Sequence, residues 1–162
     1  MSGVVLVIAR VMIAAMFVSS GWDTLTDLGG AAGYFGGLGF PLPTLAAICI
    51  GVFEIAGGAL LVAGYRTAIV CMVLALFALA ATWMGHYPFA FATDPGAFAH
   101  KQALMKDVAV AGGLLGIALH GGGALSVDAL LARRKPKTTP PAEPAPAPAE
   151  PAATPPDPPP AN

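Results

Sequence analysis

Four ionisable side chains stand where the sequence is otherwise apolar: Arg10 in VLVIARVMIAA, Glu54 in GVFEIAGG, His86 in WMGHYPF and Lys106 in QALMKDV. Carboxylates and cations in such a setting can do one of two things. They lock together as a buried ion pair that fixes helix register, or they line a polar chamber that binds a headgroup such as a quinone ring, or passes protons. The residue types alone leave both open.

The solvent around these residues narrows the choice of setting. Of 162 residues, 56% are hydrophobic and only 10% charged, against about a quarter charged in a soluble domain. A chain so poor in charge belongs in a bilayer. A net charge of -1 with few, scattered basic residues excludes nucleic acid as a partner, because phosphate binding needs a clustered basic face.

Four apolar stretches are long enough to span, roughly Val4 to Gly21, Thr44 to Gly64, Thr67 to Gly85 and Ala103 to His120, since about 20 residues cross the hydrocarbon core. A Gly-rich loop from Trp22 to Pro43, a turn at Tyr65 and Arg66, and a loop from His86 to Gln102 connect them. The expected fold is all-α: a four-helix transmembrane bundle over residues 1–132, followed by a basic junction and a Pro/Ala-rich tail over 133–162. The tail, KPKTTPPAEPAPAPAEPAATPPDPPPAN, has too few apolar residues to offset ordering entropy and is expected to be disordered. Arg66, Arg133, Arg134, Lys135 and Lys137 lie on one side, while the first loop carries Asp23 and Asp27 and no base. The positive-inside rule then puts both termini in the cytoplasm, with Lys101 counting against it. A secretory signal is a poor reading of the first 20 residues, because Arg10 interrupts the apolar region and no basic segment precedes it.

Within its span Glu54 lies about 15 Å from either edge at helical rise, so it cannot reach water and must face protein or a hydrated chamber. Gly51, Gly57, Gly58 and Ala47 share its face, which allows another helix to come close. Arg10, about 6 Å different in depth by the same rise, is the expected counter-ion. Lys106 near the opposite helix end is expected to snorkel outward. The Gly112 to Gly116 spacing reads as a packing seam.

Redox chemistry of the chain's own groups is not evident. Cys49 and Cys71 have no CxxC spacing and differ in expected depth by about twice the 7 Å a disulfide tolerates. His86 and His120 lie at opposite helix ends and cannot ligate one haem. His86 and His100 share a face, but a metal there needs a third ligand from Asp94 or another chain, so His86 reads better as an interfacial hydrogen-bonding residue and no metal is expected.

Arg10, the small residues to Gly21, GLGFPLP, Glu54 with its Gly pair, GYRTA at 64–68, His86, Lys106 and the closing GGGALSVD together resemble the DoxX-like family of four-helix integral membrane proteins. The resemblance covers about four fifths of the chain. It departs at GWDTL, where relatives carry a Lys and this chain has Asp23 and Thr24. What it implies is a multi-pass protein of a bacterial-type inner membrane, an accessory subunit of a quinone-linked or thiol-related redox system that is not an enzyme alone. Glu54, Arg10, Lys106 and His86 match the family's recurring polar sites, a quinone is the implied cofactor, and a soluble oxidoreductase or a second copy of the chain are the implied partners. A scaffold with a structural polar core is the alternative, and a small-solute or proton carrier a further one.

Overall fold

In lipid every backbone N–H and C=O must be satisfied within its own segment, so runs this apolar become helices. The computed structural model describes residues 3–93 and 95–134; the Pro/Ala-rich tail lies outside them. Seven helices follow in order: α1 (Gly3–Thr26), α2 (Leu28–Gly37), α3 (Pro43–Ala63), α4 (Thr67–Gly85), α5 (Tyr87–Ala90), α6 (Ala97–His120) and α7 (Val127–Arg134). α1, α3, α4 and α6 are each long and apolar enough to span.

Two boundaries differ from the sequence reading. The expected first loop is largely helical, since α1 runs on to Thr26 and α2 follows after a single residue. Asp27 makes that break, its Oδ1 accepting the Gly30 N–H at 2.9 Å as a helix cap. The glycines of LGGAAGYFGG hid this helix, because Gly is a poor helix former without a cap to compensate. α6 likewise begins six residues earlier than expected, at Ala97.

α1 and α3 are packed closest. A Cβ at Gly21 would come 2.6 Å from the Gly51 carbonyl oxygen and 3.0 Å from Glu54 Cβ, and one at Gly58 would come 2.7 Å from Val18 Cγ2. Only hydrogen fits at these crossings. By contrast, Gly112 and Gly116 have nothing within 4 Å of a would-be Cβ, so the expected GxxxG seam packs against none of the described residues. α4 and α6 form the second pair, and Phe17, Leu61, Cys71, Leu74, Ala75, Ala111 and Leu114 fill the centre between the pairs.

The turn from α3 to α4 is a tight one. Gly64 ends α3 at φ 68°, with its N–H on Leu60 O, and Arg66 follows at φ 48°, a left-handed conformation unusual for a residue with a Cβ. The chain returns to this turn after α6. Asp128 N–H donates to Gly64 O at 3.0 Å. The Asp128 carboxylate accepts the Arg66 N–H at 2.7 Å, and the Thr67 N–H and hydroxyl at 2.8 Å each. A residue 61 positions away thus caps α4, a role that local sequence signals could not disclose.

Candidate functional site

At the end of the bundle that carries α2, the four spans do not close. A cavity of about 580 Å³ opens there, lined by α1, α2, α3 and α4. Its polar groups are Ser20, Asp23, Thr24, Asp27, Tyr34 and Glu54, and Phe35, Phe40, Phe77 and Met84 supply most of the remaining wall. α2 has no buried residue and borders the cavity through Gly30, Ala31, Tyr34 and Phe35.

Glu54 marks the deep end. It is 7% exposed, and the Ser20 hydroxyl donates to its two carboxylate oxygens at 3.0 and 3.2 Å. The α1–α3 crossing sets this contact. With hydrogen alone at Gly21 and Gly51, α1 comes close enough for Ser20 to meet a side chain at mid-span. Phe77 closes the side wall, its ring 4.9 Å from that of Phe53.

Arg10 is not the partner of Glu54. Continuing the antiparallel register from Ser20 opposite Glu54 carries Arg10 to Gly64, at the other end of the bundle. There it is 1% exposed, its Nη1 lies where a Gly64 Cβ would be, and its Nη2 donates to Leu125 O at 2.7 Å. Arg10 Nε and Nη1 have no hydrogen-bond partner among the described residues. The guanidinium lies at the C-terminus of α3, whose partial negative charge offsets part of its own. The expected ion pair does not form because α1 crosses α3 with Ser20, ten residues along from Arg10, opposite Glu54.

Lys106 and His86 are outside the cavity as well. Lys106 is exposed, as a snorkelling residue would be, and its Nζ is 3.4 Å from Asp107 Oδ1. His86 ends α4 and meets His100 of α6, with the two Nδ1 atoms 3.1 Å apart, so one ring donates and the other accepts. The Phe89 ring lies 5.1 Å from that of His100. Burial lowers the basicity of His86; the Asp107 carboxylate opposes this, and His100 and Lys106 reinforce it, leaving the ring below the ordinary imidazole value. Asp94, the suggested third metal ligand, lies outside the described residues, and no group of three metal-ligating side chains forms among them. Cys49 and Cys71 are separate free thiols.

Of the four polar residues singled out in the sequence, then, only Glu54 faces the cavity. Ser20, Asp23, Asp27 and Tyr34 were missed as its lining. Ser20 and Tyr34 carry no charge to draw attention, and Tyr34 fell in a stretch read as loop. Its hydroxyl abuts Gly85. Burial pushes the phenol above its ordinary value, and the Asp107 carboxylate adds to this.

Four apolar spans, three of them lining a chamber with a deep carboxyl, make this an integral membrane protein of the four-helix type. The chain belongs to the DoxX family, whose model matches residues 5–87. It is 30% identical over 125 residues to inner membrane protein YphA of Escherichia coli, covering 77% of this chain and 89% of that one. It is 28% identical over 127 residues to inner membrane protein YqjF of the same bacterium, covering 78% and 92%. No solved structure matches the chain.

Proposed function

We propose that the protein is an accessory subunit of a quinone-linked redox system in a bacterial inner membrane, holding a quinone head in the cavity beside α2. Electrons would come from a soluble oxidoreductase bound at the membrane surface. The observation that carries this reading is the cavity itself, which at about 580 Å³ falls in the range of small-molecule sites. Its walls are aromatic and aliphatic, as a flat lipid-soluble ring requires. Its one deep polar element, Glu54 with Ser20, is in place to hydrogen-bond a ring oxygen.

The donor set fits such a ring. When it carries a proton, the Glu54 carboxyl donates one hydrogen bond, and the Tyr34 hydroxyl can donate another from the α2 side. Neither Arg10 nor Lys106 lines the chamber, so it holds a neutral head rather than an anionic one. A bound quinone supplies two-electron, two-proton chemistry. The protein's part is to orient the ring, exclude water and hold a proton at Glu54. The relatives' description as inner membrane proteins supports the same compartment here.

The test is gentle purification from native membranes, with quinone quantified in the extract and co-purifying proteins identified. Wild type is expected to carry about one quinone per chain. Ala80→Trp, which fills the cavity, and Glu54→Leu should carry about tenfold less, the effect of losing roughly 1.4 kcal/mol. Wild type without quinone or a soluble oxidoreductase would overturn the proposal and favour a scaffold.

A further inference from the structure

The last helix, α7, is amphipathic and has no place in the bundle core. Its sequence is VDALLARR, and Val127, Leu130, Leu131 and Arg134 recur at i, i+3, i+4 and i+7, so they share one face. Asp128 lies off that face and ties the helix to the α3–α4 turn. Its carboxylate accepts from the Arg66 N–H and from the Thr67 N–H and hydroxyl, and its own N–H donates to Gly64 O. No residue of α7 is buried. Leu130 is 56% and Leu131 45% exposed, and Leu125, shortly before the helix, is 60% exposed. Three leucines so close together and so open would be unfavourable in water. They suit the boundary between headgroups and acyl chains.

The position of α7 agrees with that boundary. It begins seven residues after α6 ends at His120, and Asp128 holds it to the turn at which α3 and α4 both end. Tyr65 in that turn is 40% exposed, an amphipathic ring at headgroup level. The helix therefore lies at the membrane surface and not beyond it.

Charge supplies the second, independent observation. Arg66, Arg133 and Arg134 are all exposed here. Arg133 and Arg134 are five and six residues along from Asp128, about 8–9 Å of helix rise, and form no ion pair among the described residues. Lys135 and Lys137 follow in the sequence. Asp128 is the one described acid at this end, and its carboxylate is already taken by the turn. The others are elsewhere: Asp23, Asp27 and Glu54 line the cavity, and Asp107 lies beside Lys106.

We propose that α7 and the Tyr65–Arg66 turn form a docking surface for anionic phospholipid headgroups, with Leu130 and Leu131 dipping into the acyl boundary and Arg66, Arg133 and Arg134 pairing with lipid phosphates. A guanidinium fork matches phosphate oxygens two at a time. The long arginine stems keep the charges at headgroup level while the leucines go deeper, and Arg134, on the apolar face but at its end, snorkels in the same way. A zwitterionic headgroup carries its own ammonium and offers less to this cluster. The surface would hold the Gly64 end at a fixed depth and gather anionic lipid around it. This inference stands apart from the quinone reading.

The experiment places an environment-sensitive nitrobenzoxadiazole probe on Leu131→Cys in a Cys49→Ser background. The full chain is reconstituted in vesicles of phosphatidylcholine alone, or of equal parts phosphatidylcholine and phosphatidylglycerol. The probe should emit further to the blue in the anionic vesicles, and high salt should remove the difference. Arg133→Gln with Arg134→Gln should lower the docked-to-undocked ratio about fivefold per arginine, about twenty-five-fold together, in the anionic vesicles. The same pair should barely change it in phosphatidylcholine. Lys101→Gln, at the other end of the bundle, should have no effect. Because α7 buries no residue, these variants should melt like the wild type, which is checked on the same samples. Emission that is alike in both vesicles and indifferent to the arginines overturns the proposal. So does a water-like probe in the anionic vesicles, which would leave the face to a soluble partner. A blue shift produced in phosphatidylcholine vesicles by millimolar inorganic phosphate would make a free anion the ligand, and overturns it too.

Discussion

The placement of Arg10 yields a double-mutant cycle with a definite answer. Ser20, which holds Glu54, is ten residues along α1 from Arg10, about 15 Å of helix rise. Sites so far apart with no shared partner couple by less than about 0.5 kcal/mol. Arg10→Met removes one charged hydrogen bond, to Leu125 O, worth about 1.5–3 kcal/mol, and also two partnerless buried donors that cost about 1–3 kcal/mol each. These contributions oppose, so the single change should fall between a loss of about 1 kcal/mol and a gain of about 4 kcal/mol. Glu54→Gln keeps an oxygen for Ser20 and should cost about 1 kcal/mol or less. The assay is reversible unfolding of wild type, both singles and the double in mixed detergent micelles. Additive effects are expected. Recovery in the double by more than about 1 kcal/mol would show that the residues pair after all, and would refute the register described for α1 and α3.

Other outcomes follow from the packing and the clasp. Gly21→Ala drives a methyl against the Gly51 carbonyl and should destabilise by about 1–3 kcal/mol, whereas Gly116→Ala, with open space around it, should be neutral or stabilising by up to about 1 kcal/mol; thermal melting compares them. Asp128→Ala removes the cap of α4 and should cost about 1 kcal/mol. Burial pushes the Asp128 carboxyl up, but hydrogen bonds from Thr67 and Arg66, and the Arg66 charge, outweigh this and hold it below its ordinary 3.8. Its contribution is therefore present above about pH 4 and lost as pH falls further, so Asp128→Asn should flatten the acid limb of a stability–pH curve. In a Cys49→Ser background, a membrane-impermeant thiol reagent on intact cells should label Thr26→Cys and spare Tyr65→Cys, and the reverse pattern would invert the expected orientation.

Hydropathy made the four spans and the depth of Glu54 legible, because a carboxyl in mid-span has to face protein wherever the neighbouring helices lie. Its partner was not legible. Depth arithmetic set the start of α1 level with the end of α3, whereas α1 crosses α3 with Ser20 opposite Glu54 and Arg10 beside Gly64. Asp27 does what a capping residue does locally, but a Gly-rich segment reads as loop until its packing is known. The cap supplied by Asp128 lies 61 residues from Thr67 in sequence, and no periodicity encodes such a contact. His86 and His100 were recognised as sharing a face, and the structure brings their rings into contact.

The two ends of the bundle differ in a way that bears on function. At the Gly64 end, Asp128 ties the α3–α4 turn to the segment after α6 through Gly64, Arg66 and Thr67, Arg10 ties α1 to the same segment at Leu125 O, and glycines leave no slack, since a Cβ at Gly122 would come 2.6 Å from Thr67 Oγ1. At the other end α2 buries no residue, and the Gly39 left-handed turn (φ 86°) that follows it has nothing within 4 Å of its would-be Cβ. Few buried contacts mean a low cost of local opening. On the quinone reading, a ring-bearing lipid has to enter and leave from the bilayer, and α2, a cavity wall with no buried residue, is the wall that would have to yield. A rigid clasp at one end and a loosely held wall at the other therefore accommodate an exchanging ligand better than a permanent one. Restraining α2, which buries no residue, should slow ligand exchange while leaving the melting temperature nearly unchanged. Joining α2 to α3 by a disulfide between cysteines at Gly36 and Pro43, whose side-chain carbons lie 3.9 Å from a would-be Gly36 Cβ, provides the restraint. A large rise in melting temperature with unaltered exchange would show that α2 is part of the fixed core and that the ligand takes another route.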